Sequence, residues 1–279
     1  MILAPLRGVM TRCFRRVFAD AIRAAGFCEA VTPFVSAMPG ADPFADRELK
    51  GGPAAEPAGF RVTPQFIGKD PAALRFCLER IRAAGYETAD LNCGCPFPMV
   101  RKKGRGSGIL RTPDVLRRML EVGCGVMGDG RFSVKARLGV DRPDELLELV
   151  PVLNEFPLRF LAVHARTARQ MYEGATDRAA LDAVAAAARM PVVANGDLDW
   201  RLGSGMVGRS FIRSLGERED VGELLARYIA ASCEELRCER PALGRVKELV
   251  SYWRGLPRWR RRWDVVKMCR SVDELRTII

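Results

Sequence analysis

Two cysteines lie one residue apart in the run Asp90-Leu-Asn-Cys-Gly-Cys-Pro-Phe-Pro-Met-Val-Arg-Lys-Lys-Gly-Arg-Gly-Ser-Gly108. The run also holds two prolines, four glycines and four basic residues. A packed core has no use for that mixture. Glycine lets backbone approach a ligand closely, proline stiffens a turn, and arginine and lysine meet phosphates. A thiol placed where a strand gives way to such a loop is a candidate acid or nucleophile. The plainer alternative is a buried, inert cysteine pair beside a solvated basic loop. Cys93 and Cys95 are too close together for a metal knuckle, the chain has one histidine, and Cys233 and Cys238 have no second pair. No metal site is expected.

A thiol can act only if regular elements hold it beside other polar groups. Short apolar runs at residues 2–4, 27–35, 61–67, 88–91, 132–136, 160–163, 191–194 and 206–207 read as eight strands. Helical spacing fills most of the intervals. Such alternation predicts parallel pairing, because each crossover needs a helix-sized connection. Eight is the number that closes a barrel. Gln65, Asn92, Lys135, Arg137, His164, Arg166 and Asn195 fall where strands end. In a (β/α)8 barrel those ends form the active face. The expected fold is therefore an α/β TIM barrel over residues 1–216, followed by a small all-helical domain over 217–279. One connection breaks the pattern. Only residues 198–204 join the seventh and eighth strands. They cannot hold a regular helix, although extended they span roughly 24 Å. The seventh crossover is shortened and the flank beside it is expected to be bare. Residues 36–59 form a long loop, of the kind usually functional or mobile.

The formal net charge is +11 in 279 residues, which suggests a polyanionic partner. Nine scattered cysteines in a chain too long to need disulfide stapling suggest a reducing, cytoplasmic setting. Nothing in the sequence reads as a signal peptide or a membrane span. Residues 237–270 contain eleven Arg or Lys against Glu239, Glu248 and Asp264, with Tyr252, Trp253, Trp259 and Trp263 interleaved. Basic residues among aromatics suit a nucleic acid whose bases can stack. A solvated helix face with tryptophans in a small core fits equally well.

The ordered motifs resemble those of the tRNA-dihydrouridine synthases. They are Ala4-Pro-Leu-Arg-Gly-Val-Met-Thr11, Gln65-Phe-Ile-Gly68, the cysteine run with Gly104, Gly106 and Gly108, and Val134-Lys-Ala-Arg137. Val163-His-Ala-Arg-Thr167 with Tyr172-Glu-Gly174, Ala194-Asn-Gly-Asp197 and Met206-Val-Gly-Arg209 complete the series. The resemblance implies an FMN enzyme, reduced by NADPH, that passes hydride to C6 of a tRNA uracil while a cysteine protonates C5. The family's cysteine falls on Cys95, and Cys93 occupies a variable position. Asn92 would orient the uracil. Gln65 would bond the flavin ring, with Lys135 and His164 near it and Pro5 and Leu6 flanking it. The phosphate would rest near Asn195, Gly196, Asp197, Gly208 and Arg209, beside the short crossover. Arg101 and Lys102, with Lys103 and Arg105, would clamp RNA phosphates near the extruded base. The resemblance implies tRNA as partner; no membrane or protein partner is expected.

Two other readings stay open on sequence. One is a non-catalytic RNA-binding relic with a spoiled flavin site. The other is a flavin oxidoreductase of a small metabolite.

Overall fold

The computed structural model describes residues 1–279. Ten parallel strand segments form one sheet: β1 (Ile2–Leu3), β2 (Glu29–Val31), β3 (Val35–Ser36), β4 (Arg61–Thr63), β5 (Gln65–Ile67), β6 (Ala89–Cys93), β7 (Phe132–Gly139), β8 (Leu161–Thr167), β9 (Val192–Asn195) and β10 (Met206–Val207). They pair in the order β3-β5-β6-β7-β8-β9-β10-β1-β2-β4. β2 and β3 are halves of one strand, and β4 and β5 are halves of another, broken at Pro64. Proline has no amide hydrogen to give the ladder. Because β2 pairs with β4 and β3 with β5, the two ends of the order are the same two strands. The sheet is a closed cylinder of eight strands. At the break, the Gln65 amide donates instead to Thr32 Oγ1 at 3.0 Å.

Helices cover the cylinder: α1 (Arg12–Val17), α2 (Ala19–Ala24), α3 (Pro71–Ala83), the single turn α4 (Pro98–Arg101), α5 (Pro113–Met127), α6 (Glu145–Leu153), α7 (Arg178–Ala187) and α8 (Arg209–Leu215). Their starts are written locally. Asp70 Oδ1 accepts from the amides of Ala72 and Ala73, with Pro71 in the first turn. Asp177 caps α7 in the same way. Between β9 and β10 there is only a 3-10 turn, Trp200–Leu202. The ladder there is one pair, Asn195 with Met206. The Asn195 side chain adds a staple, Nδ2 donating to Met206 O at 2.7 Å. With no helix over it, β9 stays half-buried along its length, and Leu202 is exposed.

The segment 36–59 is tied down by a fully buried arginine. Arg15 donates to Glu56 at 3.0 and 2.6 Å, to Glu48 at 3.3 Å and to Met10 O at 3.0 Å. Two 3-10 turns, Pro43–Ala45 and Pro53–Ala55, fill it out.

Residues beyond 216 form α9 (Val221–Leu236), α10 (Glu239–Ser251), α11 (Pro257–Val266) and α12 (Val272–Arg276). Two of the interleaved tryptophans, Trp253 and Trp259, are core and not a stacking surface. Trp253 and Trp259 are buried, their indole N–H groups donating to Ile212 O at 2.7 Å and Gly216 O at 2.8 Å, at the C-terminal end of α8. An indole is the largest apolar group available, and its single donor meets carbonyls that a helix end leaves free. These helices also lack a core of their own. Val221, Leu225, Tyr228, Val246, Leu249 and Trp253 share one apolar cluster with Leu3, Phe14, Phe18, Phe27 and Phe211 of the barrel. No helix is long and apolar enough to cross a membrane, no cysteine is disulfide-bonded, and no cluster of His, Cys, Asp and Glu suits a metal.

Candidate active site

At the C-terminal ends of the strands a cavity of about 690 Å³ opens, a size ordinary for a small-molecule or cofactor site. Cys95, Asn92, Lys135 and His164 line it together. So do Pro5 and Leu6 after β1, Asn195, Gly196 and Asp197 after β9, and Gly208 and Arg209 after β10.

The thiol is held by its own loop. Asn92 Oδ1 accepts from the amides of Gly94 at 3.2 Å and Cys95 at 2.8 Å. Cys95 O accepts from the Ser107 amide at 3.1 Å and its hydroxyl at 3.0 Å. Gly106 sits at φ +57°, where a Cβ would fall 2.7 Å from that of Cys95. Gly108 is packed on the Arg101 carbonyl. Both glycines are therefore demanded by close approach, and Gly106 by its backbone conformation as well. Burial pushes the Cys95 thiol above its ordinary range, while Arg7, Arg137 and Lys135 pull the other way. Cys93 is fully buried and driven higher still by burial and by Asp90.

Arg137, a strand-end residue to which the sequence assigned no role, joins the two loops that meet over the cavity. Its Nε donates to Gly94 O at 2.9 Å, and its Nη1 to Thr167 O at 2.9 Å and Met171 O at 2.6 Å. Tyr172 follows, its ring 5.2 Å from the Arg137 guanidinium and 4.1 Å from that of Arg209. Burial, then the charge of Arg137, brings Lys135 down to about 8 despite Asp90. Burial and the surrounding cations Lys135, Arg137, Arg166 and Arg209 drive His164 to about 2. The histidine is thus neutral, and it offers a hydrogen-bond donor and no charge. Arg166 Nη1 lies 3.4 Å from His164 Nε2, which must accept, so the ring proton is on Nδ1. Arg166 is held in turn by Gly174 O and by an ion pair with Asp197.

Three expected site residues are not in the cavity wall. Gln65 is fully buried behind it, donating from Nε2 to Asp90 Oδ1 at 2.7 Å and accepting from Asn92 Nδ2 at 2.8 Å. The reason is Asp90: a buried carboxylate needs donors, and Gln65 and Ser133 supply them while burial still lifts it to about 6. Gln65 therefore stands behind Asn92. Asn92 itself has its carbonyl oxygen spent on the cysteine loop, so its first task is to shape that loop. Arg101 and Lys102 lie outside the cavity on α4 and the turn that follows it. Conversely, Arg7, Phe34 and Arg213 line the cavity without having been singled out. Tyr252, named in the sequence only among the aromatics interleaved with basic residues, also lines the cavity, from the end of α10.

A model of the dihydrouridine synthase family matches residues 2–202. The chain belongs to the dihydrouridine synthase family. The family match ends inside the shortened crossover. Among curated relatives of this chain, a probable tRNA-dihydrouridine synthase of Rhodobacter capsulatus is 32% identical over 202 residues, 71% of this chain and 60% of that protein. The tRNA-dihydrouridine synthase B of Vibrio cholerae is 32% identical, with the same coverage. The tRNA-dihydrouridine(16) synthase of Pseudomonas putida is 31% identical over 80% of this chain and 72% of that protein. The chain thus matches about 60% of the length of the first two relatives. Solved structures similar in fold include an old yellow enzyme homologue from Zymomonas mobilis and morphinone reductase. Their TM-scores are 0.56 and 0.54, each at 12% identity over 76% of this chain, covering 85% and 83% of those chains.

Proposed function

We propose that this protein reduces the C5–C6 double bond of uridine in tRNA, using FMN and NADPH. The observation that carries the proposal is the shared cavity of Cys95, Asn92, Lys135 and His164 at the mouth of a closed barrel. The residues present fit a flavin mononucleotide. Lys135 supplies a cation to the cavity wall, and His164 a neutral donor. Arg209, free of any ion pair, lies over the Tyr172 ring in the same cavity wall. Gly196, at φ +104°, has no room for a side chain against His164, which keeps that loop close to the ring. Pro5, Leu6, Lys135, His164, Asn195, Gly196, Asp197, Gly208 and Arg209 would hold the cofactor. When bound, FMN supplies the hydride that it takes from NADPH.

The chain's own part is the proton. Cys95 is protonated at neutral pH because burial outweighs the nearby cations, so it can act as the acid toward C5 of the uracil. As the thiol gives up its proton, Lys135 and Arg137 stand by to stabilise the thiolate. A uracil stacked inside folded tRNA must be extruded to reach the cavity. Arg101, Lys102, Lys103 and Arg105 would meet the phosphates around it.

The test is an absorbance spectrum near 450 nm of fresh protein beside dihydrouridine analysis of tRNA incubated with it. Yellow protein that forms dihydrouridine, and loses turnover but not colour in Cys95→Ala, is the expected result. Colourless protein that still binds tRNA returns the non-catalytic reading.

A further inference from the structure

Two large apolar side chains stand in water beside the acid. Phe97 is 48% exposed and Met99 is 76% exposed, two and four residues after Cys95. Phe97 is part of the cavity wall; Met99 projects from α4 just outside it. Solvated apolar groups of this size, next to a site mouth, mark a contact surface. The backbone beneath them is fixed: Phe97 O accepts from the amides of Val100 and Arg101, each at 3.0 Å, and Pro98 O from Lys102 at 2.9 Å. Gly106 and Gly108 lock the far side of the same loop against Cys95 and Arg101. Behind the tip, Arg101 Nη1 and Arg105 Nε are buried with no acceptor, and Lys102 and Lys103 point outward without ion pairs. Those two nitrogens are closed to solvent, but the rest of each guanidinium side chain is partly exposed, where a phosphate can meet it.

We propose that Phe97-Pro98-Met99 is a wedge that fills the gap left in the RNA stack when the uridine is drawn out, while Arg101 and Arg105 hold the phosphates beside it. This rests on the proposed function for its partner, RNA with an extruded base. Phenylalanine, proline and methionine are the residue types that proteins insert between base steps. Extrusion costs unstacking energy, and an apolar tip taking the vacated place repays part of it. Met99 is the test position, since it is exposed and is not part of the cavity wall. The wedge matters only for a stacked substrate.

The experiment compares the parent, Met99→Ser and Met99→Leu on folded tRNA and on a short unstructured oligoribonucleotide containing uridine. Met99→Ser should bind and reduce folded tRNA at least about fivefold less well, the scale of one lost stacking contact. Its salt dependence should not change, because no charge is removed. Turnover of the unstructured oligonucleotide should be unaffected, and Met99→Leu should restore tRNA binding. Equal losses on both substrates, or folded tRNA bound and reduced as by the parent, would overturn the wedge. If the parent reduces neither substrate, the proposed function falls, and the binding comparison alone still decides the wedge.

Discussion

Replacing Arg137 with methionine tests how the thiol is placed. The arginine is buried and donates to three carbonyls, those of Gly94, Thr167 and Met171. Methionine keeps much of the volume and none of the donors. At about 1–2 kcal/mol for each carbonyl left bare, stability should fall by about 3–6 kcal/mol. The cysteine loop and the loop carrying Tyr172 would then lose their common anchor. Misplacement of a reacting group by ~1 Å costs on the order of 100-fold in rate, so uridine turnover should drop by about that much. Lysine at the same position keeps the charge but cannot reach three acceptors, because it lacks the planar fork. It should rescue little. The assay is denaturant unfolding together with single-turnover dihydrouridine formation and the alkylation rate of Cys95. If Arg137→Lys turns over like the parent, charge alone is what Arg137 contributes, and the anchoring argument is refuted.

The pH profile has a signed expectation: Lys135, at about 8 and facing Arg137, Asp90 and Cys95, loses its charge as pH rises through that value. Turnover should fall on that limb, and Lys135→Met should remove the limb as well as most of the rate; a flat profile to pH 9.5 would count against a role for the cation. Glu48 is raised to about 7, by burial first, so its contribution to stability is greatest below the ordinary carboxylate range and is lost as pH rises through 7. Limited proteolysis within 36–59 should be faster at pH 8.5 than at pH 6, and Arg15→Met should enlarge the difference, because Arg15 is what holds Glu48 down against burial, while costing about 3–5 kcal/mol, since it strands two carboxylates. A second cavity, of about 580 Å³, gathers Arg12, Arg16, Arg47, Lys50, Arg227 and Arg237 around the seam of α1, the 36–59 segment and α9. Arg16→Glu with Arg227→Glu should weaken tRNA binding and flatten its salt dependence by roughly one per lost phosphate contact; binding titrations at several salt concentrations would read this, and an unchanged slope would exclude that surface.

The cylinder was legible because each parallel strand must be followed by a crossover, and the spacing of Leu74, Leu78 and Ile81, or of Leu116, Met119 and Leu120, shows the buried face directly. The missing crossover was legible from length alone. The splitting of two strands was not, since the Pro64 break is repaired by Thr32, a partner far away in sequence. The same limit hid the position of Gln65. Its residue type suited a ligand, but a buried aspartate from the next strand claimed it. Tryptophans among arginines at 253–263 read equally as a stacking surface or a core, and only the carbonyls at the end of α8 separate the two. Arg137 lay in a recognised motif, yet its partners come from loops brought near only by barrel closure.

The family-model match stops at residue 202, but the molecule does not. Leu3, Phe14 and Phe27 look outward onto α9 and α10, so the last quarter of the chain serves as staves of the cask and not as a detachable handle. Trimming the protein to its recognisable part would leave one side of the vessel unplanked, and Tyr252, which faces the same chamber as the thiol, would leave with it.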